Sequence, residues 1–141
     1  MSILQNMARL VDEFQAIPDW ETRYKKIIAR GKQLAPMPDA LKTADNQVRG
    51  CASTVWLHAD FDGTNVAFLA DSDAVMVRGL VSILLEVYSG HPPGDILAAP
   101  PEFIEELGLN VNLTPNRANG LSAMVRQIMT YALAFQAKSA R

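Results

Sequence analysis

Residues 54–89 read TVWLHADFDGTNVAFLADSDAVMVRGLVSILLEVYS, and the fold class turns on how this stretch is read. Thr54–Phe61 is rich in β-prone side chains, Asp62-Gly63-Thr64 supplies a turn, and a second β-prone run covers Asn65–Ala70. An Asp-Gly turn between two such runs predicts an antiparallel hairpin. Asp71-Ser72-Asp73 then offers three candidate N-caps before Ala74–Ser89. The apolar residues of that segment (Val75, Met76, Leu80, Val81, Ile83, Leu84, Val87) fall on nearly all sides of a helix. A helix that is apolar all round is one the rest of the chain surrounds. Gly90-His91-Pro92-Pro93-Gly94 stops it.

Toward the N-terminus, Ile3, Leu4, Met7, Leu10, Val11 and Phe14 recur at three- and four-residue spacing, with Ser2 placed to cap. Pro18 ends this helix. Asp19 caps a second one, which carries Trp20, Tyr24, Ile27, Ile28 and Leu34 on one face. The short link predicts an antiparallel helix pair. Pro36 and Pro38 break the pattern, residues 39–47 are polar, and a short strand at Gln47–Val48 is placed to join the hairpin. Toward the C-terminus, a short helix is expected over Glu102–Leu107, closed by Gly108. A long helix follows Thr114-Pro115 and runs through Phe135. The expectation is an α+β fold in one domain over residues 1–141: a small antiparallel β-sheet of about three strands, packed against several helices.

Composition narrows the function. The chain has 141 residues, 49% hydrophobic and 20% charged, with a formal net charge of −2. That is the balance of a globule, without the basic excess of a nucleic-acid binder. No apolar run approaches the length of a membrane span, and the start lacks a basic-then-apolar export pattern, so a cytoplasmic protein without a membrane partner is expected. One cysteine cannot form an internal disulfide or supply a thiolate cluster for zinc or iron–sulfur. With only His58 and His91 besides, there is no ligand spacing for a metal site.

Cys51 stands in Val48-Arg49-Gly50-Cys51-Ala52-Ser53, between a polar loop and a strand. Gly50 permits backbone angles other residues resist, and Arg49 places a cation that favours thiolate over thiol. Inert core filling and single-thiol chemistry are both open at this point. A Cys–His nucleophile is disfavoured, since His58 lies about 23 Å away along an extended strand and His91 would have to fold back. Trp56 reads as a sheet-packing residue, and Asp71 and Asp73 as helix caps. Arg117 is a cation at an electrostatically unfavourable helix start, which marks it for a specific role or for a solvated surface. Residues 60–106 hold nine acids and one base, whereas residues 107–141 hold four bases and no acid. Such asymmetry steers a protein partner or is simply solvated.

The chain resembles the SufE family of sulfur-acceptor proteins. The resemblance rests first on Val48-Arg49-Gly50-Cys51 followed by Ser53, Val55, Trp56 and Leu57. It continues through Asp71-Ser72-Asp73-Ala74 to Gly79-Leu80, and through Leu113-Thr114-Pro115-Asn116-Arg117 to Gly120-Leu121 and Met124, with Asp19-Trp20 and Tyr24 upstream. It implies that Cys51 accepts sulfane sulfur as a persulfide from a SufS-type cysteine desulfurase. It further implies stimulation of that enzyme and delivery to an iron–sulfur scaffold complex. No cofactor belongs to this chain, because the pyridoxal phosphate is the desulfurase's. Arg49, Gly50, Asp73 and Arg117 take loop-support and partner-contact roles. The acceptor cysteine is expected on a loop tip beside an apolar recess near Trp56 and the helix beginning at Ala74. A non-acceptor adaptor, a carrier for another sulfur pathway such as tRNA thiolation, and an independent thiol enzyme are the alternatives.

Overall fold

The structure, a computed structural model, describes residues 2–99 and 101–139. The hairpin forms as expected: β1 (Val55–Phe61) pairs antiparallel with β2 (Val66–Ser72), from Val55 opposite Ser72 to Phe61 opposite Val66. Asp62 fixes the turn by accepting backbone N–H bonds from Thr64 and Asn65 at 2.8 and 2.7 Å. Alternation sends Val55, Leu57, Val66, Phe68 and Ala70 inward. The central helix, α3 (Val75–Tyr88), packs on this face with the long final helix, α6 (Pro115–Ser139).

The sheet has two strands instead of three. Gln47 makes a single bridge to Trp56, and the Val48 N–H donates to the Val55 carbonyl at 2.8 Å. Tight helical turns at Asp39–Leu41 and Ala44–Asn46 precede this pair, and Gly50, at φ +91°, turns the chain away after it. Too little extended backbone lies between them for a ladder.

At the N-terminus, α1 (Ile3–Gln15) opens with a reciprocal Ser2–Gln5 capping box. Asp19 caps α2 (Trp20–Lys32) by accepting from Thr22 N at 2.8 Å. These helices meet through side chains, Glu13 with Lys26 and Arg30, and not as the closely packed pair expected. The principal neighbour of α2 is α3, while α1 lies against α3 and a short helix, α5 (Glu102–Glu106). The reason is glycine: a Cβ on Gly79 would overlap the Ile27 carbonyl, and one on Gly31 would stand 2.6 Å from Gly79 N. The two backbones touch where no side chain intervenes. Another short helix, α4 (Pro93–Ala98), starts on Pro93 inside the segment read as a stop, and it packs on α6.

The acidic run before α3 is not a cap. Ala74 is the N-cap, and no side chain bonds to the helix end from that position. Buried Asp71 instead pairs with Lys42 and Arg78, each at 3.2 Å, and Asp73 turns back to Thr54.

A second charge cluster ties α1, α2 and α3 together: Glu13 with Arg9, Lys26 and Arg30, and Glu86 with Arg9 and Arg30. A hydrogen bond from Lys26, then the charges of Arg30, Lys26 and Arg9, hold the Glu13 carboxyl below the usual range against its partial burial. A depressed folded-state value contributes stability above the ordinary carboxylate pKa and loses it as pH falls through the lowered value. Acid titration of the melting temperature is therefore expected to be shallower in Glu13→Gln than in the parent, with the difference confined to the acid limb. Parallel curves would show that the cluster is uncoupled from folding.

Candidate functional site

The Cys51 loop is closed at its neck. On one side, Val48 bonds to Val55; on the other, the Thr54 N–H donates to the Asp73 carboxylate at 3.2 Å. The Thr54 carbonyl accepts from the Ser72 hydroxyl at 2.7 Å. Between these clamps the chain swings over α6, and Gly50 supplies the left-handed turn at its exposed tip. Asp73 thus bonds to the backbone at the loop's neck, whereas Arg49 and Gly50 are exposed on the loop.

Cys51 is half-buried, and its thiol donates to the Gly120 carbonyl at 3.6 Å. A Cβ on Gly120 would sit 3.5 Å from the sulfur, so the loop lies against bare helix backbone. Beside the sulfur opens a recess of about 270 Å³, with Val77 and Leu80 of α3 and Met124 of α6 on its apolar side. Thr114, Asn116 and Arg117, at the start of α6, supply the polar side. Arg117, Gly120 and Met124 share one face because they stand three and four residues apart on a helix. Across the loop lies a second, polar depression of about 430 Å³, lined by Arg49, Arg126, Gln47, Gln127 and Asp45 among others.

Burial pushes the Cys51 thiol above its ordinary pKa, and the Arg126 charge opposes that rise. The nearby cation that acts on the sulfur is therefore Arg126, from α6, and not Arg49, the expectation from chain adjacency. On balance the seated position favours thiol over thiolate more than an exposed one would.

The other candidates fall elsewhere. His58 contacts Asp60 at 3.1 Å, and His91 bridges to Val66; neither lines the recess. Trp56 stands opposite Asp71 in the sheet with the Lys42 ammonium 5.6 Å from its ring centroid, so it forms no wall of the recess. The helix after Ala74 does form one. The Arg126 contribution was missed in the sequence, where it sits 75 positions from Cys51 with no local signal.

This is an α+β domain that presents one partly sheltered thiol on a clamped loop, with a recess alongside it. Residues 8–132 match the family model for SufE, described as a Fe-S metabolism associated domain. An uncharacterized SufE-like protein of Synechocystis sp. is 42% identical over 131 residues, which cover 93% of this chain and 82% of the relative. SufE-like protein 1, chloroplastic/mitochondrial, of Arabidopsis thaliana is 38% identical over 94% of this chain and 36% of that longer protein. The solution structure of a hypothetical protein from Thermus thermophilus superposes with a TM-score of 0.78 at 23% identity, covering 94% of this chain and 96% of that one. The chain belongs to the SufE family. Membership supports a sulfur-transfer role beside a cysteine desulfurase. No helix among the described residues is long and apolar enough to cross a membrane.

Proposed function

We propose that residues 1–141 act as one sulfur-acceptor domain: Cys51 takes sulfane sulfur from a SufS-type cysteine desulfurase, stimulates that enzyme by unloading it, and delivers the sulfur to an iron–sulfur cluster scaffold. The proposed compartment is the cytoplasm. The reading rests on one observation, a lone thiol on a glycine turn beside a recess with room for added sulfur.

The exchange balances without a redox partner. Cys51 loses its proton to solvent, and its thiolate attacks the terminal sulfur of the desulfurase persulfide. That S–S bond breaks, the desulfurase thiolate leaves, and a new S–S bond forms on Cys51. A buried, protonated sulfur is a poor nucleophile, so the loop has to move outward when the partner docks, which is a population shift between seated and extended forms. Gly50 is the pivot, and Asp73 holds the neck. Arg49 and Arg117, both exposed beside the loop, meet the desulfurase.

Intact-mass analysis of the chain after incubation with a cysteine desulfurase and cysteine tests this. The expected result is a gain of about one sulfur atom, roughly 32 Da, mapped to Cys51 and removed by a thiol reductant. An unchanged mass alongside accelerated desulfurase turnover would establish the adaptor reading instead.

A further inference from the structure

The arginines among the described residues divide into two groups. Arg9, Arg30 and Arg78 meet carboxylates, and Arg23 meets the Ile17 carbonyl and the Trp20 ring. The guanidinium groups of Arg49, Arg117 and Arg126 form no ion pair and no hydrogen bond among the described residues, and all three residues line the depressions flanking the Cys51 loop. Helix α6 carries Arg117, Arg126 and Lys138 and no acid. Of these, Arg126 is the one set against the loop backbone: a Cβ on Gly50 would lie 4.0 Å from its Nη2. The next residue carries the sulfur.

We propose that Arg126 is the counter-ion of Cys51 in the seated loop, holding negative charge on its thiolate there and on the persulfide anion once the loaded loop returns. Arg126 shares its two depressions with Asp45 and Glu105 but pairs with neither, and an unpaired cation on a helix beside the loop stabilises an anion the loop presents. Burial works in the opposite direction on this thiol. The other charges around the sulfur are Arg117 across the recess, Arg49 on the loop, Asp45 in the groove shared with Arg126, and Asp73 at the neck. The inference deepens the acceptor reading and rests on it for its purpose.

The pH profile of Cys51 alkylation by iodoacetamide, measured on the full chain, tests it. In Arg126→Gln the inflection is expected to move upward, slowing alkylation at neutral pH roughly three- to tenfold. Arg126→Lys keeps the charge and is expected to stay within about twofold of the parent. High salt, with a Debye length near 3 Å at about 1 M, moves the parent toward the Gln variant. Lys138→Gln, about 18 Å further along the helix, leaves the inflection in place. An unmoved inflection in Arg126→Gln, equal slowing in the Gln and Lys variants, or an equal shift from Lys138→Gln overturns the assignment. Alkylation needs no desulfurase: a chain that shows the Arg126 shift but gains no sulfur fails the acceptor reading alone.

Discussion

Cys51→Ser is expected to abolish sulfur uptake, with a loss on the order of a thousandfold or more in acceptor-dependent desulfurase turnover. A serine hydroxyl stays protonated at any working pH and cannot form the S–S bond on which the exchange depends. The substitution is nearly isosteric at a half-buried site, and the hydroxyl can still donate to the Gly120 carbonyl. Its effect on stability is therefore expected to stay within about 1 kcal/mol, separating lost chemistry from lost fold. Desulfurase turnover with and without the variant, together with its melting temperature, provides the measurement. Retained stimulation by a well-folded Cys51→Ser chain would sink the carrier reading and leave a docking adaptor. Turnover of a small substrate by the parent chain alone would point to an independent thiol enzyme.

The second large effect is expected far from the sulfur. Gly79→Ala sits in a helix interior, where alanine normally gains about 1 kcal/mol over glycine. Here the sign should reverse. The added methyl meets the Ile27 carbonyl and its Cγ2, and the obstacle is backbone that cannot rotate aside. Separating α2 from α3 strips contacts along the seam of the molecule, and overpacking of this kind costs typically 1–3 kcal/mol and here about 3 or more. For a chain of this length that lowers the melting temperature by roughly 10 °C. A melt no lower than the parent's would show that the α2–α3 crossing adjusts freely. Because α3 forms one wall of the recess, Gly79→Ala is also expected to weaken sulfur uptake in proportion to the unfolded fraction.

Much of this arrangement is legible in the sequence because its signals are local. The Asp62-Gly63 turn, the period of α1, the Asp19 cap and the all-round apolarity of α3 each lie within a short window. The misreadings share a cause. Asp71 and Asp73 look like caps beside a helix, but their partners are Lys42, Arg78 and Thr54, brought in by folding. Arg49 looks like the cation for Cys51 because it is two residues away, whereas the charge that acts comes from Arg126. Trp56 carries a motif position yet faces Lys42 and not the recess. The packing role of Gly79 likewise depends on the opposing Ile27 carbonyl, 52 positions earlier in the chain. Chain proximity identified the thiol; only tertiary placement identifies its surroundings.

One element joins the chemistry to the architecture. The first half of α6 carries Arg117, Gly120, Met124 and Arg126. Its second half is fixed to the sheet by rings, with Phe135 stacked on Phe61 at 5.1 Å, Tyr131 edge-on to Phe68, and the Tyr131 hydroxyl donating to the Leu57 carbonyl at 3.3 Å. Helical rise puts Phe135 about 22 Å from Gly120. Anchorage at that remote end therefore contributes to how the Gly120 carbonyl is held beneath the sulfur, through residues that never come near it.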